Sequence, residues 1–383
     1  MAALVAGCPP LPPQVHPSFR MPPQDGIRWF MPAEVGREVD RLYSKDPAER
    51  AAAANRLGAM GENAATAVPH LKALLLDRVE PYALLRSRSD PQYVPPKNEV
   101  ADAAERALIR IGKPSVRPLI ETFTVRGYYE KPEDRVVRIL AAIGKPAMPA
   151  MVRLLDDGDA QVRARAAEVL GRMGDPSAVE PLARALRDKD PQARAAATAA
   201  LATLGGPQAL EVLIADMRAQ KTREEQGVTA REIVRFGPAA VEPLIKELAS
   251  PDLGYQYTVT QILGEIGDPR AIGPVIEKMK ARSVYAMEAL VKMGPAAIDA
   301  VMAVTDDPDK EVRHWACETL RYLDDKRAVE AFIRLTAAKH EDVRDWAADC
   351  LERLTGRRFG RDPAAWQKWW AAGVKASSGE SPR

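Results

Sequence analysis

The sequence is short of the groups that carry chemistry. Its 383 residues include three cysteines, Cys8, Cys317 and Cys350, too few for a disulfide scaffold and wrongly spaced for zinc. The four histidines, His16, His70, His314 and His340, include no two at metal-ligand spacing. Aromatic residues make up 5% of the chain, which argues against a β-sandwich. Charge of either sign is not in excess: 55 basic and 53 acidic residues give a net +2, and nothing advertises a nucleic-acid track or an acidic membrane surface. No apolar run approaches the ~18 residues needed to span a bilayer as a helix. No glycine loop follows a strand pattern, so no phosphate cradle is expected. No cofactor, metal or catalytic residue is therefore assigned from the sequence.

What the chain has is alanine, a 46% apolar fraction and repetition. Helix-stop glycines recur behind an apolar residue at Met60-Gly61, Ile111-Gly112, Ile143-Gly144, Met173-Gly174, Leu204-Gly205, Phe236-Gly237, Ile266-Gly267 and Met293-Gly294. Leu323-Asp324 and Thr355-Gly356 continue the series. The spacings are 51, 32, 30, 31, 32, 30, 27, 30 and 32 residues. A period near 31 fits two short helices and two turns.

One unit shows the physics. Asp159 is placed to cap a helix. Val162, Ala166, Val169, Leu170 and Met173 then recur at helical spacing and form one apolar stripe. Gly174 takes the left-handed conformation that ends the helix. Asp175 and Pro176 open the next, whose stripe is Val179, Leu182, Ala183 and Leu186. Pro181 implies that this second helix starts late or is kinked. A single unit buries too little to order itself, so units must stack and the ends need caps.

The combination of Asp159…Val162-Arg163, Asp134…Val137-Arg138, Asp190…Ala193-Arg194, Asp309…Val312-Arg313 and Asp342-Val343-Arg344 with the apolar-Gly stop resembles HEAT repeats. Specifically, it resembles the short bacterial kind also found in phycobilisome lyases. The likeness runs from about residue 34 to 356. It implies an all-α fold, a right-handed α-solenoid of about ten helical pairs, in which these Asp and Arg side chains form a ladder between neighbours. It implies a protein-binding scaffold that uses the solenoid surface. Two alternatives come from other classes: a bilin lyase-like enzyme or subunit holding a tetrapyrrole, and a nucleic-acid-binding HEAT-like protein. Mixed charge along the second helices, as in Glu180, Arg184 and Arg187, favours neither a nucleic-acid partner nor a long basic track. Deoxyhypusine hydroxylase, a HEAT enzyme, binds iron through several His-Glu pairs, and here His340-Glu341 alone matches. Cys317 and Cys350 lie in apolar helix stretches and read as small core residues.

The expected division is an unstructured Pro-rich segment over 1–30, the repeats over 31–356, a Trp-rich helical cap over 357–375 and an unstructured tail over 376–383. Val5-Ala6-Gly7-Cys8 resembles a bacterial lipobox, with Cys8 the candidate lipid anchor in the cell envelope. No basic region precedes it. Either the true start lies upstream, or the match is chance and the chain is cytoplasmic. Trp366, Trp369 and Trp370 share one helix face, as a seal on the last repeat or as an aromatic binding patch. The long first spacing marks an insertion near 78–98 with Tyr82, Arg86, Arg88 and Tyr93. Solenoid insertions map to loops on one face, and Tyr and Arg are enriched in interface hot spots, so these four are the candidate contacts for a protein partner. The repeat spacing predicts a helix-dominated circular dichroism spectrum; a substantial β signal would sink the repeat assignment.

Overall fold

The computed structural model describes residues 31–75, 99–123, 132–281, 283–323 and 326–377. Every regular element among them is helical. Contacts divide the chain into two compact units at Ala200 and Leu201. The first contains α1 (Ala33–Arg41), α2 (Pro47–Ala59), α3 (Val68–Leu74), α4 (Glu99–Ile111), α5 (Lys113–Ile120), α6 (Pro132–Ile143), α7 (Met148–Leu154), α8 (Ala160–Met173), α9 (Val179–Ala185) and most of α10 (Pro191–Leu204). The second contains α11 (Gly206–Ala219), α12 (Arg223–Val234), α13 (Val241–Glu247), α14 (Leu253–Ile266), α15 (Ile272–Lys280), α16 (Val284–Met293), α17 (Ile298–Val304), α18 (Lys310–Tyr322), α19 (Lys326–Leu335), α20 (Glu341–Thr355) and α21 (Pro363–Ser377).

Long first helices alternate with second helices that are shorter except for α11, and the stop glycines separate them. All nine, from Gly61 to Gly356, take φ between 54° and 74°, where a side chain would be strained. Behind the stop, a tight 3₁₀ turn such as Pro176–Ala178 absorbs the expected late start. The second helix α9 then begins at Val179, so Pro181 falls in its first turn, where a missing N–H costs nothing.

Aspartates cap several of the first helices: Asp46, Asp159, Asp252 and Asp309 accept from backbone N–H groups two residues on. Two other aspartates of the repeated Asp…Arg series sit inside their helices. Helix α6 starts at Pro132, which puts Asp134 inside its first turn. Helix α20 is entered from His340, and Asp342 instead pairs with Arg313 at 2.8 Å. The expected ladder exists here and at Arg163, which holds Asp188 through two hydrogen bonds of 2.6 and 2.8 Å. Its acidic rung is Asp188 and not Asp190, because Asp190 is occupied capping α10 through Gln192 and Ala193.

A second contact recurs in seven of the first helices. The side chain four or five residues into a first helix donates back to the carbonyl six residues earlier, closing the turn from the preceding second helix. Arg50 reaches Ser44 at 3.0 Å, Arg163 reaches Asp157 at 2.9 Å, Arg194 reaches Asp188 at 2.8 Å, Arg313 reaches Asp307 at 2.9 Å and Arg344 reaches Ala338 at 2.9 Å. Gln226 and Gln256 make the same bond to Gln220 and Ser250.

First helices of adjacent repeats pack most tightly where a glycine stands three residues ahead of the stop. A Cβ added to Gly58 would lie 2.7 Å from the Ala107 Cα, one on Gly171 2.6 Å from the Ala200 Cα, and one on Gly264 2.8 Å from the Ala289 Cα. The opposing residue is alanine each time, so the backbones approach without side chains between them.

The end of the second unit is closed by α21. Trp366 is fully buried, donates its Nε1–H to the Gly360 carbonyl at 2.7 Å and meets Phe359 edge-on at 4.9 Å. Trp370 donates to Glu330 of α19 at 3.1 Å. The tryptophans thus serve chiefly as a seal. The helix runs to Ser377, two residues into the stretch expected to be tail, since Lys375 and Ala376 are good helix formers.

Two outcomes follow from this packing. Gly171→Ala should lower stability by about 1–3 kcal/mol by overpacking against Ala200, although alanine is the better helix former. Gly227→Ala, where the added methyl meets open space, should raise it by about 0.5–1 kcal/mol. Urea denaturation reads both signs. The second outcome concerns acid. Hydrogen bonds from Arg163 hold the Asp188 carboxyl below its ordinary range. Its stabilising contribution is complete above about pH 4 and is lost as pH falls through the depressed folded value. Asp188→Asn should flatten the acid limb of the urea midpoint against pH, and an unchanged limb would remove this pair from the account.

Candidate interaction surface

The expected contact residues Tyr82, Arg86, Arg88 and Tyr93, and the candidate anchor Cys8, lie outside the described residues. The surface that can be described was not singled out by the sequence. It emerges when first helices are aligned on their stops. The position ten residues ahead of the stop holds Ala51, Asp102, Asp134, Ala164 and Ala195 in the first unit. In the second unit it holds Gly227, Tyr257, Val284, His314 and Trp346. One repeat position therefore turns aromatic and apolar across α14, α16, α18 and α20, consecutive first helices that pack on one another.

The side chains meet in pairs. The Tyr257 ring is crossed edge-on by Tyr285, next to Val284, at 4.1 Å between centroids. The Arg223 guanidinium at the start of α12 lies 4.1 Å over the Tyr257 ring. His314 stands edge-on to Trp346 at 6.2 Å and to Trp315 at 6.2 Å. Phe332, buried beneath on α19, supports Trp346 at 6.1 Å. Among the exposed large apolar residues are Leu253 at 77%, Val284 at 50% and Tyr285 at 41%. Apolar groups gathered on one face at such exposure mark a contact surface more than scattered ones do.

The scaffold under this face is rigid. Tyr255 is buried and donates to Glu247 at 3.0 Å, while Glu247 receives the Arg218 Nε–H at 2.9 Å. Burial, then the hydrogen bond to Glu247, pushes the Tyr255 hydroxyl far above its ordinary range, so it stays a neutral donor. Gln256 closes the turn on the other side. With Tyr255 and Gln256 fixed, the half-buried Tyr257 is placed at the second turn of α14. Arg313, held by Asp342 and two carbonyls, does the same for His314.

Other chemistry is sparse. Among the described residues no group of three or more His, Cys, Asp or Glu could hold a metal ion. None of the described helices is long and apolar enough to cross a membrane. Cys317 and Cys350 are buried free thiols, as small core residues should be. Burial pushes both up to about 12.

Residues 148–230 and 298–367 match the family model described as HEAT repeats. Those two regions are HEAT repeats. Three solved structures place it in company. It is 19% identical to human deoxyhypusine hydroxylase, with 70% of this chain and 99% of that one covered and a TM-score of 0.27. It is 13% identical to importin beta, with 88% of this chain and 52% of that one covered and a TM-score of 0.36, so it spans about half that protein's length. It is 20% identical to the CpcE and CpcF phycocyanin lyase complex of a Nostoc species, with 80% and 97% covered and a TM-score of 0.24. No curated protein matches the chain.

The thiols give a direct check. At pH 8 a maleimide should leave Cys317 and Cys350 unmodified in the folded protein and modify both in urea, as read by peptide mass mapping. Rapid native labelling of either would show that its helix opens.

Proposed function

We propose that this protein is a non-catalytic protein-interaction scaffold whose partner docks on the aromatic face of the second unit. The supporting observation is the change of one repeat position from Ala and Asp to Tyr, Val, His and Trp, in side chains that the core does not need. Residues that turn outward at a repeated position serve recognition, and the helical array beneath serves to space them. Tyr, Trp and Arg are the residue types that dominate binding energy when a partner excludes water from them. The rigid base means little ordering is required when the partner arrives. Tyr82, Arg86, Arg88 and Tyr93 of the insertion are a second proposed contact, on the composition given above.

The test combines capture with direct binding. A variant with Tyr257→Ala, Tyr285→Ala and His314→Ala should keep its melting temperature within a few degrees, because these groups are at least partly exposed. A partner recovered by crosslinking with the unaltered chain, then purified, should bind this variant at least about tenfold more weakly, a loss of about 1.4 kcal/mol. Replacing the four insertion residues with Ala should weaken the same partner without lowering the melting temperature. Full affinity in the first variant would move the site off this face. A large fall in melting temperature in the second would make the insertion a structural element.

A further inference from the structure

We infer that the last turns of α18 and α20 bind an acidic peptide segment of another protein, one that also carries apolar side chains. This surface is separate from the aromatic row, which stands nearer the starts of the same helices, so either reading can fail without the other.

The apolar part is two side chains. Tyr322 ends α18 and is 51% exposed, and Leu354 stands one residue before the end of α20 and is 50% exposed. In every earlier first helix the residue two before the stop is alanine, threonine or charged, as in Arg110, Arg235 and Lys292. The two helices pack on one another. Packed helices lie about 8–10 Å apart, so one short segment reaches both.

The charged part is set by which arginines are already paired. Arg321 lays its guanidinium 4.3 Å over the Tyr322 ring and donates its Nε–H to Glu318 at 3.0 Å. Arg358 pairs with Glu352. Arg361, further on, is held by Glu341 at 2.9 Å and by Asp345. Arg353 and Arg357 are exposed, and neither has a carboxylate partner among the described residues. Both helices bring cations to one place: burial pushes the Cys350 thiol up, while the Arg321 guanidinium of α18 and the Arg353 guanidinium of α20 both pull it the other way. Gly356 turns the chain at φ 69°, and the Arg357 N–H donates to the Thr355 Oγ1 at 3.2 Å, which fixes where Arg357 leaves the helix.

The complement of this arrangement is carboxylates set beside apolar side chains. Arg353 and Arg357 alone are too few for a nucleic-acid backbone, whose affinity comes from many phosphate contacts, and Leu354 gives a base nothing to stack on. An anionic bilayer is recognised by clusters of roughly 4–8 cations, which the pairing of Arg321, Arg358 and Arg361 removes.

The experiment uses the full chain and a short fluorescein-labelled peptide of leucines set among glutamates. Saturable anisotropy is expected, and about 1 M salt should weaken it. Affinity should fall at least about tenfold in the Arg353→Gln, Arg357→Gln variant, and at least about tenfold in the Tyr322→Ala, Leu354→Ala variant. All four side chains are exposed, so both variants should keep their melting temperature within a few degrees. A peptide with glutamine in place of each glutamate should bind the unaltered chain at least about tenfold more weakly. Tyr257→Ala with Tyr285→Ala should leave the affinity unchanged. No saturable binding, equal affinity for the glutamine peptide, or unchanged affinity in either of the first two variants would overturn the inference. A loss confined to the Tyr257 and Tyr285 variant would place the peptide on the aromatic row and overturn it as well. So would phosphatidylserine vesicles or a single-stranded oligonucleotide that bind more tightly than the peptide and lose that binding in the same two variants, since the surface would then serve a membrane or a nucleic acid.

Discussion

A hydrogen bond from a helix's own first turns to the carbonyl six residues behind it is the contact on which the array depends. Each repeat must reverse direction between its short second helix and the next first helix. The last carbonyls of the short helix lose their intrahelical partners there. The Arg or Gln clasp ties a carbonyl of the turn just beyond that helix, and Arg50, Arg163, Arg194, Arg313 and Arg344 reach a second carbonyl one residue later. A cation at this point also faces the negative end of the preceding helix. The turn becomes a fixed angle, and the fixed angle sets where the next first helix starts. Caps, stops and close packing all presuppose that start.

Where the clasp residue is also tied sideways, neighbouring repeats are locked together. Arg163 and Arg313 do both jobs, since their remaining donors reach Asp188 and Asp342 in the following repeat. Arg163 and Arg313 are 6% and 8% exposed, and a buried guanidinium tolerates this only with its donors filled. Gln226 has one amide to give and spends its oxygen on Thr258 of the next first helix, a neutral version of the same tie. The aromatic face inherits its precision from these ties, because Tyr257 and His314 each follow a clasp residue directly in sequence.

Much of this was legible in the sequence. The stop glycines announced themselves because positive φ is a demand that only glycine meets cheaply, and Asp159 and Asp175 declared caps by position. The partners of the charges were less legible. Asp188 and Asp190 are chemically equal on paper, and only the path of the turn decides which one Arg163 meets. Gly58, Gly171 and Gly264 look like weak points within helices, since the alanine that each faces lies 29 residues or more away or, for Gly264, 25. The aromatic row was present in the letters as well, but it takes an alignment of stops to show that Tyr257, His314 and Trp346 are one position. The insertion and the lipobox-like start were prominent in the sequence, and both fall outside the described residues.

The three glycine-alanine contacts bear on how such a chain can be rearranged by duplication or deletion. Gly58 with Ala107, Gly171 with Ala200 and Gly264 with Ala289 each join one repeat to the next, and the helix that offers the alanine does not itself offer a glycine onward. At the alanine's position other first helices carry Ile139, Val169, Ile262 or Leu351. Deleting the repeat that offers the alanine would bring Ile139, Glu232 or Thr319 against a backbone surface with no room for a methyl group. The heritable module is therefore two repeats long at these places, and recombination that respects the 31-residue period while ignoring this pairing yields chains with the right letters and a blocked interface.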